Sequence, residues 1–262
     1  MRTSEEGRSV ASRILAIFEV FERHGPRLSL SQISELSGLP VSTTHRLVAQ
    51  LLEWGALSRD SQGRFQIGRR LWELGQNADR RLRETARPFL QDLFSLTGET
   101  AHLAVREGNE ALYVDRIYGS KRVPRATRIG GRLPLHATAV GKVLLAHEEK
   151  WFRDAYLAGE LAQLTSFTHV DIKALSEELE LISARGYAIA GEEARVGACS
   201  IAVPVGQYDH DSDATDTSLT LGGVAIGIVT LSSQLPHLTR YLPQLQGVAR
   251  RIEVTIRSRG RW

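Results

Sequence analysis

The stretch "PVSTTHRLVAQLLEWG", residues 40–55, opens on hydroxyl, imidazole and guanidinium groups and then turns into an apolar ladder. Ser42, Thr43, Thr44, His45 and Arg46 all carry hydrogen-bonding groups, and Arg46 can fork onto a phosphate or a guanine edge. Leu47, Val48, Leu51 and Leu52 follow at the spacing of a helix that buries its rear face. Such a helix presents its first turn, with its unpaired amides and positive dipole end, to an outside partner. The groove and phosphates of a nucleic-acid duplex are a partner of that chemistry.

A second concentration of chemistry is "GGRLPLHATAVGKVLLA", residues 130–146. Apolar Leu133 and Leu135 lead into a helix whose first amides, near Ala139 and Val140, could hold a carboxylate without a charged side chain. A structural turn would account for the pattern equally well. Glu192 and Glu193 end a strand, either as ligand contacts or as a solvated edge paired with Arg195. His136 reads as a metal ligand or a hydrogen-bonded core histidine. The eight histidines show no HxxxH or HxH spacing, which favours the core, so no metal and no cofactor is expected. Cys199 is the only cysteine, which leaves no intramolecular disulfide or multi-cysteine zinc site, and it reads as a buried thiol or a pocket or redox group. Ser200, beside Cys199 and with Glu193 nearby in sequence, could be drawn as a nucleophile. No GxSxG elbow, P-loop or strand-borne GxGxxG supports that, and no enzymatic activity is expected.

These groups need elements to position them. Val10, Ile14, Ile17, Phe18 and Phe21 give a first helix over 8–23, closed by His24-Gly25-Pro26. Ser29 is a predicted N-cap for a short second helix with Leu30, Ile33, Leu36 and Leu39 inward, ending at Gly38, and Pro40 with Ser42 restarts a third over 41–54. Two short helices joined by a tight glycine turn are a helix-turn-helix. "ALSRDSQGRFQI", residues 56–67, follows as two strands around "DSQG", with Leu57, Phe65 and Ile67 inward and Arg59 and Arg64 near the tip of a wing. Residues 69–79 resume a helical pattern.

The remainder reads as an α+β unit. A helix over 83–97 precedes a hairpin around Gly108-Asn109. Then come the stretch around 133–148, a helix over 171–185, strands "GYAIA", "CSIAVPVG" and "GGVAIGIVTL", and a closing helix over 236–258. Helices around an antiparallel sheet suit this order better than a βαβ series. The aspartates of "YDHDSDATDTS", residues 208–218, lack the glycine and glutamate of a calcium loop and read as a solvated connection. The expected division is a DNA-binding domain over 1–68, a linker helix over 69–82 and an effector-binding domain over 83–262.

The chain has 262 residues, 42% hydrophobic and 24% charged, the balance of a soluble protein of about two domains. No targeting segment and no long apolar run is evident, so a cytoplasmic location without membrane contact is expected. Residues 1–70 hold 10 arginines against 7 acidic residues, which is the whole of the +3 net charge. Arg2 and Arg8 extend that basic face.

Taken in order, "VSTTHRLVAQLLEWGAL", "RLPLHATAVGKVLLA" and "ELELISARGYAIAGEEARVGACSIAVPV" give the chain a pattern that resembles the IclR-type transcriptional regulators along nearly its whole length. The resemblance implies a winged helix-turn-helix domain and a C-terminal GAF-like domain, a small carboxylate effector, and dimers or dimers of dimers on a pseudo-palindromic double-stranded operator. It implies Ser42, Thr43, Thr44, His45, Arg46, Arg59 and Arg64 for DNA, and Leu133, Leu135, Ala139, Val140, Glu192, Ser200, Ile228 and Thr230 for the effector. Relatives that bind small keto acids tend to carry polar groups where this chain aligns Ala190, Ser200, Ile228 and Thr230, so a less polar pocket and a larger or more apolar acid are expected. The competing readings are a winged helix that binds protein, and an enzyme.

Overall fold

The structure is a computed structural model that describes residues 9–75, 80–119, 123–124, 126, 128–206 and 223–258. Arg2, Arg8 and the aspartate-rich segment 208–218 lie outside the described residues. The chain divides into two compact units, residues 1–80 and 81–262.

In the first unit, α1 (Val10–His24) buries Ile17, Val20 and Phe21. The second helix, α2 (Leu30–Ser37), starts with a capping box in which Ser29 and Gln32 satisfy each other's backbone amides, as the sequence position of Ser29 predicts. Gly38 then takes a left-handed conformation (φ 67°), which an L side chain resists, and α3 (Val41–Trp54) follows at once. Leu36, expected inward, is exposed, while Leu39 is buried. Strands β1 (Leu57–Arg59) and β2 (Phe65–Ile67) form the wing, and a bridge between Leu28 and Phe65 ties it to the segment before α2. The next helix, α4 (Arg69–Gly75), has no buried residue. Arg70 lies over the Trp54 ring at 4.5 Å and fastens α4 to the end of α3.

In the second unit, the described strands form one antiparallel sheet in the order β5-β4-β3-β8-β7-β6. They are β3 (Thr100–Glu107), β4 (Glu110–Ile117), β5 (Arg132–Pro134), β6 (Ala188–Gly191), β7 (Ala198–Pro204) and β8 (Val224–Leu231). One face packs on α5 (Arg80–Thr97) and α9 (Leu242–Ser258), through Leu90, Leu93, Leu245 and Ile252 against Leu103, Ile201 and Ile226. The other packs on α6 (Ala139–Ala146), α7 (Lys150–Leu157) and α8 (Ile172–Arg185), through Val143, Leu144 and Leu179 against Ala104, Ala202 and Ala225. Small residues on that face let α6 approach the strands closely. The closing helix is shorter than its sequence pattern: residues 232–241 form a 3-10 segment around Pro236, whose missing N–H weakens an α-helix there. The eight-residue helix α7 was not among the elements read from the sequence, although Phe152 and Tyr156 fall at helical spacing.

The approach to α6 is set by Gly141. A Cβ at this position would lie 2.3 Å from the Leu135 carbonyl oxygen and 2.6 Å from its Cα. Both are backbone atoms of the 3-10 turn Leu135–Ala137 that feeds the helix, so neither can swing aside. Alanine improves helix propensity by about 1 kcal/mol, but overpacking here costs about 1–3 kcal/mol or more. Gly141→Ala is therefore expected to lower the melting temperature of the protein, by several degrees or more, and an unchanged or raised value would contradict this packing.

Candidate nucleic-acid interface and ligand cavity

The first turn of α3 divides into two sets of side chains. Ser42, His45 and Arg46 are exposed and Thr43 is half-buried, whereas Thr44 is fully buried. Thr44 points into the turn rather than out of it, and its hydroxyl donates to the carbonyl oxygens of Pro40 at 3.1 Å and Leu39 at 3.5 Å. Ser34 donates to the same Leu39 carbonyl at 2.7 Å. The expectation that all five residues stand clear of the core is thus corrected at Thr44, which braces the helix-turn-helix. Gln50, one turn beyond Arg46 and exposed, extends the outward stripe. Its i+4 spacing from Arg46 was visible in the sequence, and an amide can pair with an adenine edge.

On the wing, Asp60 organises the loop by accepting from the Gln62 and Arg64 amides, both at 2.9 Å. It also holds the Arg64 side chain at 3.1 Å, and Arg59 lies over the Phe65 ring at 4.6 Å. Both wing arginines are oriented by neighbours.

A cavity in the second unit, beside the start of α6, has a volume of about 50 Å³. Its sheet wall includes a row of paired residues across three strands, Ala190, Ser200 and Val229. Side chains alternate along a strand, so Ile228 and Thr230 face the α5 and α9 layer and are buried there. The expected placement of those two is corrected by one residue, to Val229. Leu133 lines the cavity, and Ala137 and Thr138 bring the start of α6 to it. Thr138 caps α6 by accepting from the Gly141 amide at 3.0 Å, which leaves the amides of Ala139 and Val140 ahead of the first helical bond. The side chains of Leu135, Ala139 and Val140 are buried in the core behind the wall.

His102, Tyr113 and Arg116 complete that side and had not been anticipated. The His102 ring occupies the space above Gly227, where a Cβ would come within 2.7 Å of Nε2. Burial, with the nearby Arg116 charge, pushes the imidazole down to about 3, so it stays neutral with one donor and one acceptor nitrogen. Burial also raises the Tyr113 phenol to about 12. Arg195, Glu193, Thr138 and Ser200 are also on the lining, beside apolar Leu133, Ala190 and Val229.

The two glutamates of the pair part in role. Glu192 takes φ 60° and its Oε1 accepts from the Gly197 amide at 2.7 Å, so its carboxylate closes the turn after β6 rather than lining the cavity. Its neighbour lines the cavity instead, and pairs with Lys142 rather than Arg195. Lys142 is fully buried on α6, with Nζ 2.9 Å from Glu193 and 2.8 Å from Glu178 on α8. His169 reaches Glu178 at 3.0 Å from the half-open side. Burial raises the Glu178 carboxyl, but Lys142 and His169 more than offset this and hold it below the ordinary value. Burial pushes the Glu193 carboxyl up, and Lys142 only partly opposes it. Thr168 and Thr165 donate to the Glu193 and Glu192 carbonyl oxygens at 2.7 and 2.8 Å, which fixes the backbone that carries both.

His136 and Cys199 make core hydrogen bonds, and Cys199 also borders the cavity. His136 is buried, with Nδ1 2.8 Å from the Tyr156 hydroxyl and Nε2 3.0 Å from the Ala162 carbonyl oxygen, as a hydrogen-bonded core histidine would be. Cys199 is buried, its thiol donating to the Leu231 carbonyl at 3.1 Å, and is raised to about 11 by burial and by Glu192 and Glu99. Ser200 lines the cavity.

Residues 10–61 match the IclR helix-turn-helix domain and residues 77–254 match the C-terminal domain of bacterial IclR transcriptional regulators. The chain belongs to the IclR family. It is 33% identical to the transcriptional regulator XynR of Escherichia coli over 89% of this chain and 91% of that protein. It is 34% identical to the repressor AllR of the same organism, over 84% and 82%. An IclR homologue from Microbacterium hydrocarbonoxydans, solved in complex with 4-hydroxybenzoate, superposes with a TM-score of 0.86 at 29% identity, over 95% of this chain and all of that one. The Thermotoga maritima IclR gives 0.74 at 28%, over 94% and 97%. The IclR-family chain is thus a DNA-binding transcriptional regulator, and the family's role sets the enzymatic reading aside. No described helix is long and apolar enough to cross a membrane.

Lys142 gives this geometry a direct check. Lys142→Met would leave the buried Glu193 and the part-buried Glu178 facing each other with only the His169 imidazole beside them, a change that costs about 3–5 kcal/mol. Protonation of Glu193, already favoured by burial, relieves that repulsion, so the loss is expected to be largest at neutral pH and to shrink at about pH 5. Denaturation curves at the two values measure this; a loss independent of pH, or none, would refute the pairing.

Proposed function

We propose that this IclR-family protein is a ligand-responsive regulator in which a small carboxylic acid, bound in the cavity beside α6, alters how the winged helix engages an operator. The observation that supports the reading is the cavity itself, which Arg116 and Arg195 line and which the start of α6 borders at Ala137 and Thr138. The Microbacterium relative, crystallised with 4-hydroxybenzoate, supports an acid as the ligand class. Size bears on which acid. A cavity of about 150 Å³ takes benzene. At about 50 Å³ this one has a third of that space, so an aromatic acid requires its wall to move outward.

For DNA, the reading assigns base and phosphate contacts to Ser42, Thr43, His45, Arg46 and Gln50 on α3, with Arg59 and Arg64 on the wing. One recognition helix per chain reads one half-site, so a dimer or dimer of dimers on a pseudo-palindrome follows, with half-sites about one helical turn apart or a multiple of it.

The experiment is a mobility-shift assay on DNA from upstream of the gene itself, across a salt series, with and without a panel of short-chain and aromatic acids. Affinity is expected to fall steeply with salt, because phosphate contacts release counterions, and to change when an active acid is added. Arg46→Ala should weaken specific binding by about 1–3 kcal/mol. Thr44→Val should instead lower thermal stability by about 1 kcal/mol and leave sequence preference intact. Binding of partner proteins but of no duplex at any salt would favour the protein-interaction reading.

A further inference from the structure

Glu193 occupies an unusual position between the buried ion pair and the cavity. Its side chain is 3% exposed and contributes to the lining. Oε1 accepts from Lys142 Nζ at 2.9 Å. Oε2 lies as close to the same ammonium but outside hydrogen-bond geometry, and no group of the described protein donates to it. His169 Nδ1 stands 4.0 Å away. A buried carboxylate oxygen with unused lone pairs is costly unless something supplies a donor.

The donor's chemistry follows from its surroundings. An ammonium ligand would face Arg116 and Arg195 on the lining and Lys142 behind it, three positive groups. A neutral hydroxyl meets no such repulsion. We propose that Glu193 is the specificity-determining residue of this cavity, its Oε2 accepting a hydrogen bond from a hydroxyl group on the bound acid, so that the site selects hydroxy acids over the same acids lacking the hydroxyl. This rests on the reading of the cavity as the effector site.

The variant Glu193→Gln suits the test because Lys142 keeps Glu178, and the cluster then holds one ammonium and one carboxylate. With its amide oxygen turned to Lys142, the variant places an NH₂ group where Oε2 stood, and an NH₂ group cannot accept.

The full-length protein is titrated calorimetrically at fixed salt with two matched series: 2-hydroxypropionate, propionate and 2-methoxypropionate; and 4-hydroxybenzoate, benzoate and 4-methoxybenzoate. In at least one series the hydroxy acid should bind about tenfold or more tightly than both partners, since the methyl ether keeps the oxygen but loses the donor. Glu193→Gln should reduce that preference, read as the ratio within each series, to about threefold or less. If the variant proves unfolded by its melting curve, the methoxy comparison on the unaltered protein decides. Equal binding within each series, or a preference that survives Glu193→Gln in a folded protein, overturns the role of Glu193 but leaves the effector site standing. No binding of any acid overturns the effector site, and the role of Glu193 with it.

Discussion

The fully buried ammonium of Lys142 is the constraint around which the second unit is arranged. A charge with no water contact must be matched by carboxylates with good geometry. Here they come from two elements distant in sequence, Glu178 on α8 and Glu193 in the turn after β6. That requirement fixes α6 against α8 and the sheet, and α6 is the helix whose first turn opens on the cavity. The threonines at 165 and 168 hold the Glu193 backbone, and Glu192 closes the same turn through the Gly197 amide. One electrostatic demand thereby sets the position of a helix start, a turn and a cavity wall.

The first unit depends on a smaller version of the same principle. The Leu39 carbonyl in the turn between α2 and α3 is a polar group in an apolar setting, and the hydroxyls of Ser34 and Thr44 satisfy it. Because Thr44 is used this way, the outward stripe of α3 consists of Ser42, Thr43, Arg46 and Gln50, with His45 beside it. The rigid turn positions the stripe, and the aspartate at 60 orients the wing that flanks it.

Much of this was legible in the sequence, for identifiable reasons. Helical spacing, Ser29 as cap and Gly38 as a left-handed stop gave the helix-turn-helix, because those signals act over three or four residues. The antiparallel sheet and the helix start at Ala139 followed from similar local cues. What the sequence concealed was non-local. Nothing adjacent to Lys142 marks it as buried, since its partners lie 36 and 51 residues away. The strand phase at Ile228 and Thr230 was misplaced by one residue, and a period of two turns such a slip into the wrong face. His102 and Arg116 went unread because they share a row only through pairing of β3 with β4. Thr44 looked like its polar neighbours until the turn carbonyl it serves was located.

The central claim is that acid in the cavity and DNA on the winged helix are energetically coupled. The most direct measurement is acid affinity of the intact protein, by calorimetry, with and without a saturating operator duplex, set beside duplex affinity with and without saturating acid. Linkage requires the two ratios to be equal. The account expects both to depart from unity by the same factor, about 5-fold or more. An acid that binds equally well to the free and the DNA-bound protein would contradict it.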